Sequence, residues 1–233
     1  MDKKLEELTM ERGCSRWCWH DQSTKRESKL RELFDAAVRE LEEEDVRLFR
    51  AFGQAGDWKN EQCQGLAYWV FEHNLVFPIF RAWLPLVRRV WWDEDIHRTR
   101  GEQREDSNRD EKPGRRNREY IDLVVEKRKG APKWLFEAKW WAYGAAKSLL
   151  SKDVRRLRRA RAGKDQGYLL TFWYGSTGEL KSDLERAQEQ AKGLDLTMLF
   201  VGVFPTHVYT WWDKQNPKSD IGYFALVAFS VGE

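Results

Sequence analysis

No apolar run in this 233-residue chain reaches the roughly 18 residues that a membrane-spanning helix needs. The opening stretch, MDKKLEELTMERG, is charged throughout and lacks the apolar segment of a secretory signal, so no membrane association is expected and the expected location is cytoplasmic. Cysteine is scarce. Three residues do not build a disulfide framework, and reduced thiols fit a cytosolic chain. Cys14, Cys18 and His20, with Cys63, form the only zinc candidate, but the spacing in CSRWCWH is unusual for zinc and no second tight Cys or His pair follows. There is no internal repeat, no helix-turn-helix pattern, no zinc ribbon and no helicase motif. Any specificity must therefore come from the loops of this domain or from another protein.

What is present is a chain long enough to bury a sizeable core, with 41% hydrophobic and 34% charged residues. The net charge of +3 is small, but its distribution is uneven. Residues 152–164, KDVRRLRRARAGK, hold seven Lys or Arg and a single Asp, and RRNR occupies 115–118. Local basic surface of this kind suits a phosphate backbone, although a solvated helix face reads the same way. The thirteen tryptophans include the pairs Trp140–Trp141 and Trp211–Trp212; core packing is their plainer reading, base stacking the sharper one. His73 and His207 have no motif around them.

The periodicity predicts a helix over 24–52, striped by Leu30, Leu33, Phe34, Ala37 and Leu41. A second helix is expected from Asp57 or Asn60 to Phe77, stopped by Pro78, with Leu66, Val70, His73 and Phe77 on its apolar stripe. Strands follow at 87–96, 119–128 and 133–141, the last two joined by the short link KGAP as a hairpin. Between the first and second lies 97–118, which has no apolar residue and reads as a loop. A helix at 144–162, a strand at 167–175, a helix at 179–192 and a strand at 196–204 come next, and HVYTWW and GYFALVAFSV read as final strands. This order predicts an α/β fold, a mixed central sheet flanked by helices. Residues 1–56 are expected as an N-terminal helical extension to a domain spanning 57–233.

Asp/Glu-x-Lys occurs six times, and five of the copies lie in polar or helical surroundings. Only FEAK sits inside an apolar strand, WLFEAKWW, where alternation puts Glu137 and Lys139 on one face. A cross-strand salt bridge would explain that pair. Asp122, which interrupts the apolar run of YIDLVV on the neighbouring strand, shifts the balance, because two carboxylates and an ammonium then converge. Mg²⁺ takes oxygen ligands of this kind.

This arrangement resembles the PD-(D/E)XK nuclease superfamily, which includes restriction endonucleases and Holliday-junction resolvases. Its signature places an acid on the second core strand and Glu-x-Lys on the third, within a helix–strand–strand–strand–helix–strand core that corresponds here to 57–175. The family proline before the aspartate is Ile121 in this chain. The resemblance implies a restriction-endonuclease-like fold and a metal-dependent DNA endonuclease. Asp122 and Glu137 would bind Mg²⁺ or Mn²⁺, and Lys139 would be the catalytic lysine. It also implies a glutamate from the first core helix, with Glu61 preferred and Glu72, three turns further along the same face, as the alternative. By the same analogy the helix after FEAK lies near the site, where Arg155, Arg156, Arg158 and Arg159 would meet phosphates. Residues 1–56 would either pack on the core or mediate a homodimer, which would suit cutting of both strands. The competing reading is a non-catalytic nucleic-acid-binding or interaction module on the same fold.

Overall fold

A computed structural model describes residues 16–21, 28–53, 72–95, 120–141, 147–209 and 219–232. They form seven strands, β1 (Trp17–His20), β2 (Arg89–Asp95), β3 (Tyr120–Glu126), β4 (Trp134–Trp140), β5 (Gln166–Ser176), β6 (Leu196–Tyr209) and β7 (Ser219–Val231). Four helices accompany them: α1 (Ser28–Gly53), α2 (Glu72–Trp83), α3 (Lys147–Ala160) and α4 (Leu180–Lys192). The strands make one sheet in the order β1-β6-β7-β5-β4-β3-β2. Every neighbouring pair is antiparallel except β4 and β5, which run parallel. A parallel pair needs a crossover, and α3 supplies it.

Each face of the sheet carries its own apolar layer. On one face α1 and α2 bury Leu30, Leu33, Phe34, Ala37, Val38 and Leu41 together with Leu75, Ile79 and Trp83 against Phe136, Tyr168 and Phe200. On the other, α3 and α4 bury Leu150, Val154 and Leu157 together with Leu184 and Ala187 against Leu135, Leu169 and Val227. The α1 stripe read from the sequence is therefore the buried one. α1 also comes close to β6 at Gly202, where a Cβ would lie 2.3 Å from Val38 Cγ2, so only glycine fits without a shift. The β3–β4 hairpin turns at Gly130, whose φ of 74° favours glycine.

Several expectations need correction. Pro78 does not end the second helix, because α2 continues through it to Trp83. The lost hydrogen bond frees the carbonyl of exposed Asn74, while Leu75, Val76, Ile79 and Trp83 hold the helix on the core. The buried stripe is also rotated from the expected one: Phe77 is 44% exposed, and Leu66 and Val70 lie outside the described residues. The segments 196–204 and HVYTWW are not separate strands where the chain is described; β6 runs unbroken through Pro205 to Tyr209. β1 pairs only with Phe200–Val203, so the described sheet leaves one side of β6 open at Pro205, and a missing N–H is tolerated there. β1 itself was not expected. It is an edge strand, and with α1 it places residues 16–21 and 28–53 in the same sheet and core as the rest. The loop expected at 97–118 lies outside the described residues.

Candidate active site

β3 and β4 are paired with Leu123 opposite Phe136 and Val124 opposite Leu135. Val124 and Leu135 lie in the α3-side layer, and strand alternation puts Glu137 and Lys139 on that side; Ile121 joins the same layer, so Asp122 is placed by its contacts and not by alternation. The Ala138 amide donates a 2.7 Å hydrogen bond to Asp122 Oδ2, which pins that carboxylate against β4. Glu137 is 1% exposed. Its Oε2 accepts a 2.8 Å hydrogen bond from Arg156 Nη1, while its Oε1 is buried with no hydrogen-bond partner. Burial, then the charge of Asp122, pushes the Glu137 carboxyl well above the usual carboxylate range; Arg156 opposes the shift and Asp153 adds to it.

Two residues of α3 complete the cluster. Asp153 is buried, with its Oδ2 3.8 Å from Lys139 Nζ and its Oδ1 3.6 Å from Arg156 Nη2. Arg156 thus bridges Glu137 and Asp153. Burial works against its charge, but the two carboxylates outweigh burial and strengthen its hold on its proton. Asp153 has no motif around it in the sequence. The available signal was a lone acid in a run of seven basic residues, next to Val154 on the apolar stripe.

The expected site residues therefore divide. Asp122 lies close enough to Glu137 to raise its pKa, and Lys139, on the same strand face as Glu137, meets Asp153. Glu61 lies outside the described residues, as do Cys14 and Cys63, and Glu72 begins α2 with its side chain outside them. Of the four arginines expected to meet phosphates, Arg155 and Arg159 are exposed. Arg156 faces the carboxylates. Arg158 ties α3 to Asp195 at 3.2 Å and to the Gly232 carbonyl at 3.3 Å. A cavity of about 610 Å³ borders the helix, lined among the described residues by Lys152, Arg155, Arg156, Arg158 and Arg159. Trp140 and Trp141 pack on Tyr174 and Trp173, as core-forming rings do.

Among the described residues, no group of three or more His, Cys, Asp or Glu is arranged to hold a metal ion. Mg²⁺ commonly needs only one or two carboxylates, with water and substrate phosphate completing its shell. Asp122 and Glu137 are such a pair, and the bare Oε1 of Glu137 is the kind of buried oxygen that calls for a cation or a water. The two carboxylates are of a kind that can accept a divalent cation, and in this structure Glu137 is ion-paired with Arg156 and Asp153 with Lys139. The zinc candidate fares worse. Burial, with Asp35 next, holds the Cys18 thiol up at about 12, and His20 Nε2 is engaged by Asp35 Oδ1 at 2.9 Å.

Compared with known proteins, the chain matches no family model, and no curated sequence or solved structure is significantly similar to it. No helix among the described residues is long and apolar enough to cross a membrane.

Proposed function

We propose that this chain is a metal-dependent nuclease of the PD-(D/E)XK type that hydrolyses phosphodiester bonds in DNA. One observation carries the reading: a fully buried glutamate with an unpartnered oxygen, next to a second carboxylate, with a lysine two residues along the same strand face. The element order supports it, because α2-β2-β3-β4-α3-β5 is the succession that the resemblance implies for such a core.

Asp122 and Glu137 would hold Mg²⁺ or Mn²⁺, and Glu61 is the proposed additional ligand. When bound, the cation supplies polarisation of the phosphoryl group and a lowered pKa for the attacking water. Lys139, whose Nζ lies 3.8 Å from Asp153 Oδ2, would orient that water and stabilise negative charge developing on the phosphate. Lys152, Arg155 and Arg159 give the DNA backbone a basic track along α3.

The test is incubation of the protein with plasmid, single-stranded DNA and RNA in Mg²⁺ or Mn²⁺, beside Asp122→Ala and Lys139→Ala. Metal-dependent cleavage of DNA by the wild type, lost in both variants, is expected. Equal cleavage by all three would mean a wrong site or a contaminant. DNA binding without cleavage would favour the non-catalytic module.

A further inference from the structure

We propose that Arg156 is an internal counter-cation: it occupies the carboxylate pocket until a divalent ion arrives, then turns outward to bind a substrate phosphate. The inference rests on the nuclease reading and deepens it. Arg156 Nη1 lies 2.8 Å from Glu137 Oε2, and Nη2 lies 3.6 Å from Asp153 Oδ1. The guanidinium therefore holds one oxygen of the carboxylate whose other oxygen, Oε1, would take the ion, and two cations on one carboxylate repel each other. A divalent ion taken by Glu137 Oε1 would therefore loosen the arginine's hold on Oε2.

Arg156 has somewhere to go. Its side chain is 31% exposed, so it already spans the boundary between pocket and solvent. The adjoining cavity of about 610 Å³ is lined by basic side chains, with no acid among its described lining residues. Without an anion that cavity is a poor home for another positive charge, which favours Arg156 staying on Glu137. With a phosphate in it, the planar fork gains two charge-assisted hydrogen bonds. Metal and phosphate would then bind cooperatively, through one side chain that each of them moves the same way.

The test measures Mn²⁺ binding by electron paramagnetic resonance of the free ion, without nucleic acid, on wild type, Arg156→Gln, Arg156→Lys and Glu137→Gln. Arg156→Gln should bind Mn²⁺ about tenfold more tightly than wild type, Arg156→Lys should lie closer to wild type, and Glu137→Gln should lose the site. In fluorescence anisotropy with a labelled phosphorothioate oligonucleotide, Arg156→Gln should weaken binding when Mn²⁺ is present and change it little when Mn²⁺ is absent. If Arg156→Gln does not fold, wild type decides: the arginine Nε–H resonance that Arg156→Lys removes should move on adding Mg²⁺. Unchanged Mn²⁺ affinity in folded Arg156→Gln, equal loss of oligonucleotide binding with and without metal, or an unmoved resonance would overturn the latch. Glu137-dependent Mn²⁺ binding that Arg156→Gln leaves unaltered would sink the latch alone. Absence of Glu137-dependent Mn²⁺ binding in every variant would sink the metal site as well.

Discussion

β4 has two faces with opposite characters. Trp134, Phe136 and Ala138 point toward α1 and α2 and are packed among rings and aliphatic chains. Leu135, Glu137 and Lys139 point toward α3, where one apolar side chain is followed by two charges that meet three more from Asp122, Asp153 and Arg156. The two faces share backbone, register and neighbouring strands. What separates them is that the first face is worth keeping for stability alone, whereas the second is costly. Burying charge is unfavourable even when paired, and a packed hydrophobic substitute is often as stable or more so. Both faces of the sheet carry an apolar layer, and the buried charges interrupt only one of them, at β4 and α3.

The largest effect should come from the apolar face. Phe136 lies 4.6 Å from Trp83 and 5.1 Å from Tyr168, ring centre to ring centre. Phe136→Ala should cost about 3–5 kcal/mol in a denaturant titration. A loss under about 1 kcal/mol would mean that this layer is not the main core. On the charged face, Arg156→Met should cost about 1–3 kcal/mol, because it leaves Glu137 buried with its partner removed. The figure sits below that for a fully buried pair because the arginine head is partly solvated. Adding Glu137→Leu to Arg156→Met should restore most of that loss and abolish Mn²⁺ binding. A double variant as unstable as the single one would break the contrast between the faces.

The smallest effect concerns Cys18, which packs at the margin of the apolar layer beneath α1. With its thiol held at about 12, Cys18 should react slowly with iodoacetamide at pH 8. Peptide mapping should find its rate rising about tenfold per pH unit and levelling only near pH 12, since the reactive thiolate appears as the proton leaves. A rate at pH 8 equal to that of the unfolded chain would show that the thiol is not shielded.

Much of the apolar architecture was legible in the sequence because it is periodic. The α1 stripe, the β3–β4 hairpin, α3 and β5 all repeat over enough residues to declare themselves. β1 did not, since four residues carry too little pattern, and β6 was cut at Pro205 because sequence alone does not reveal an open strand side. Pro78 misled in the same way, since tertiary burial overrode a local breaker. Asp122, Glu137 and Lys139 were legible as charges out of place in strands. Asp153 was not, and Arg156 was read as a phosphate contact and not as the partner of Glu137, because a helix pattern tells which side is apolar and not which neighbour waits at the margin of the stripe.

The proposed nuclease role requires that Glu137 contribute to chemistry at the expense of stability. The most direct measurement is the single-turnover cleavage rate of wild type and Glu137→Gln on whichever DNA the wild type cuts, with the melting temperature of each. Gln keeps the size and an acceptor for Arg156 and removes the charge. The expected result is a rate lower by about 10²–10⁴ with the melting temperature unchanged or raised. An unchanged rate, or a collapse in stability with the rate per folded molecule intact, would contradict it.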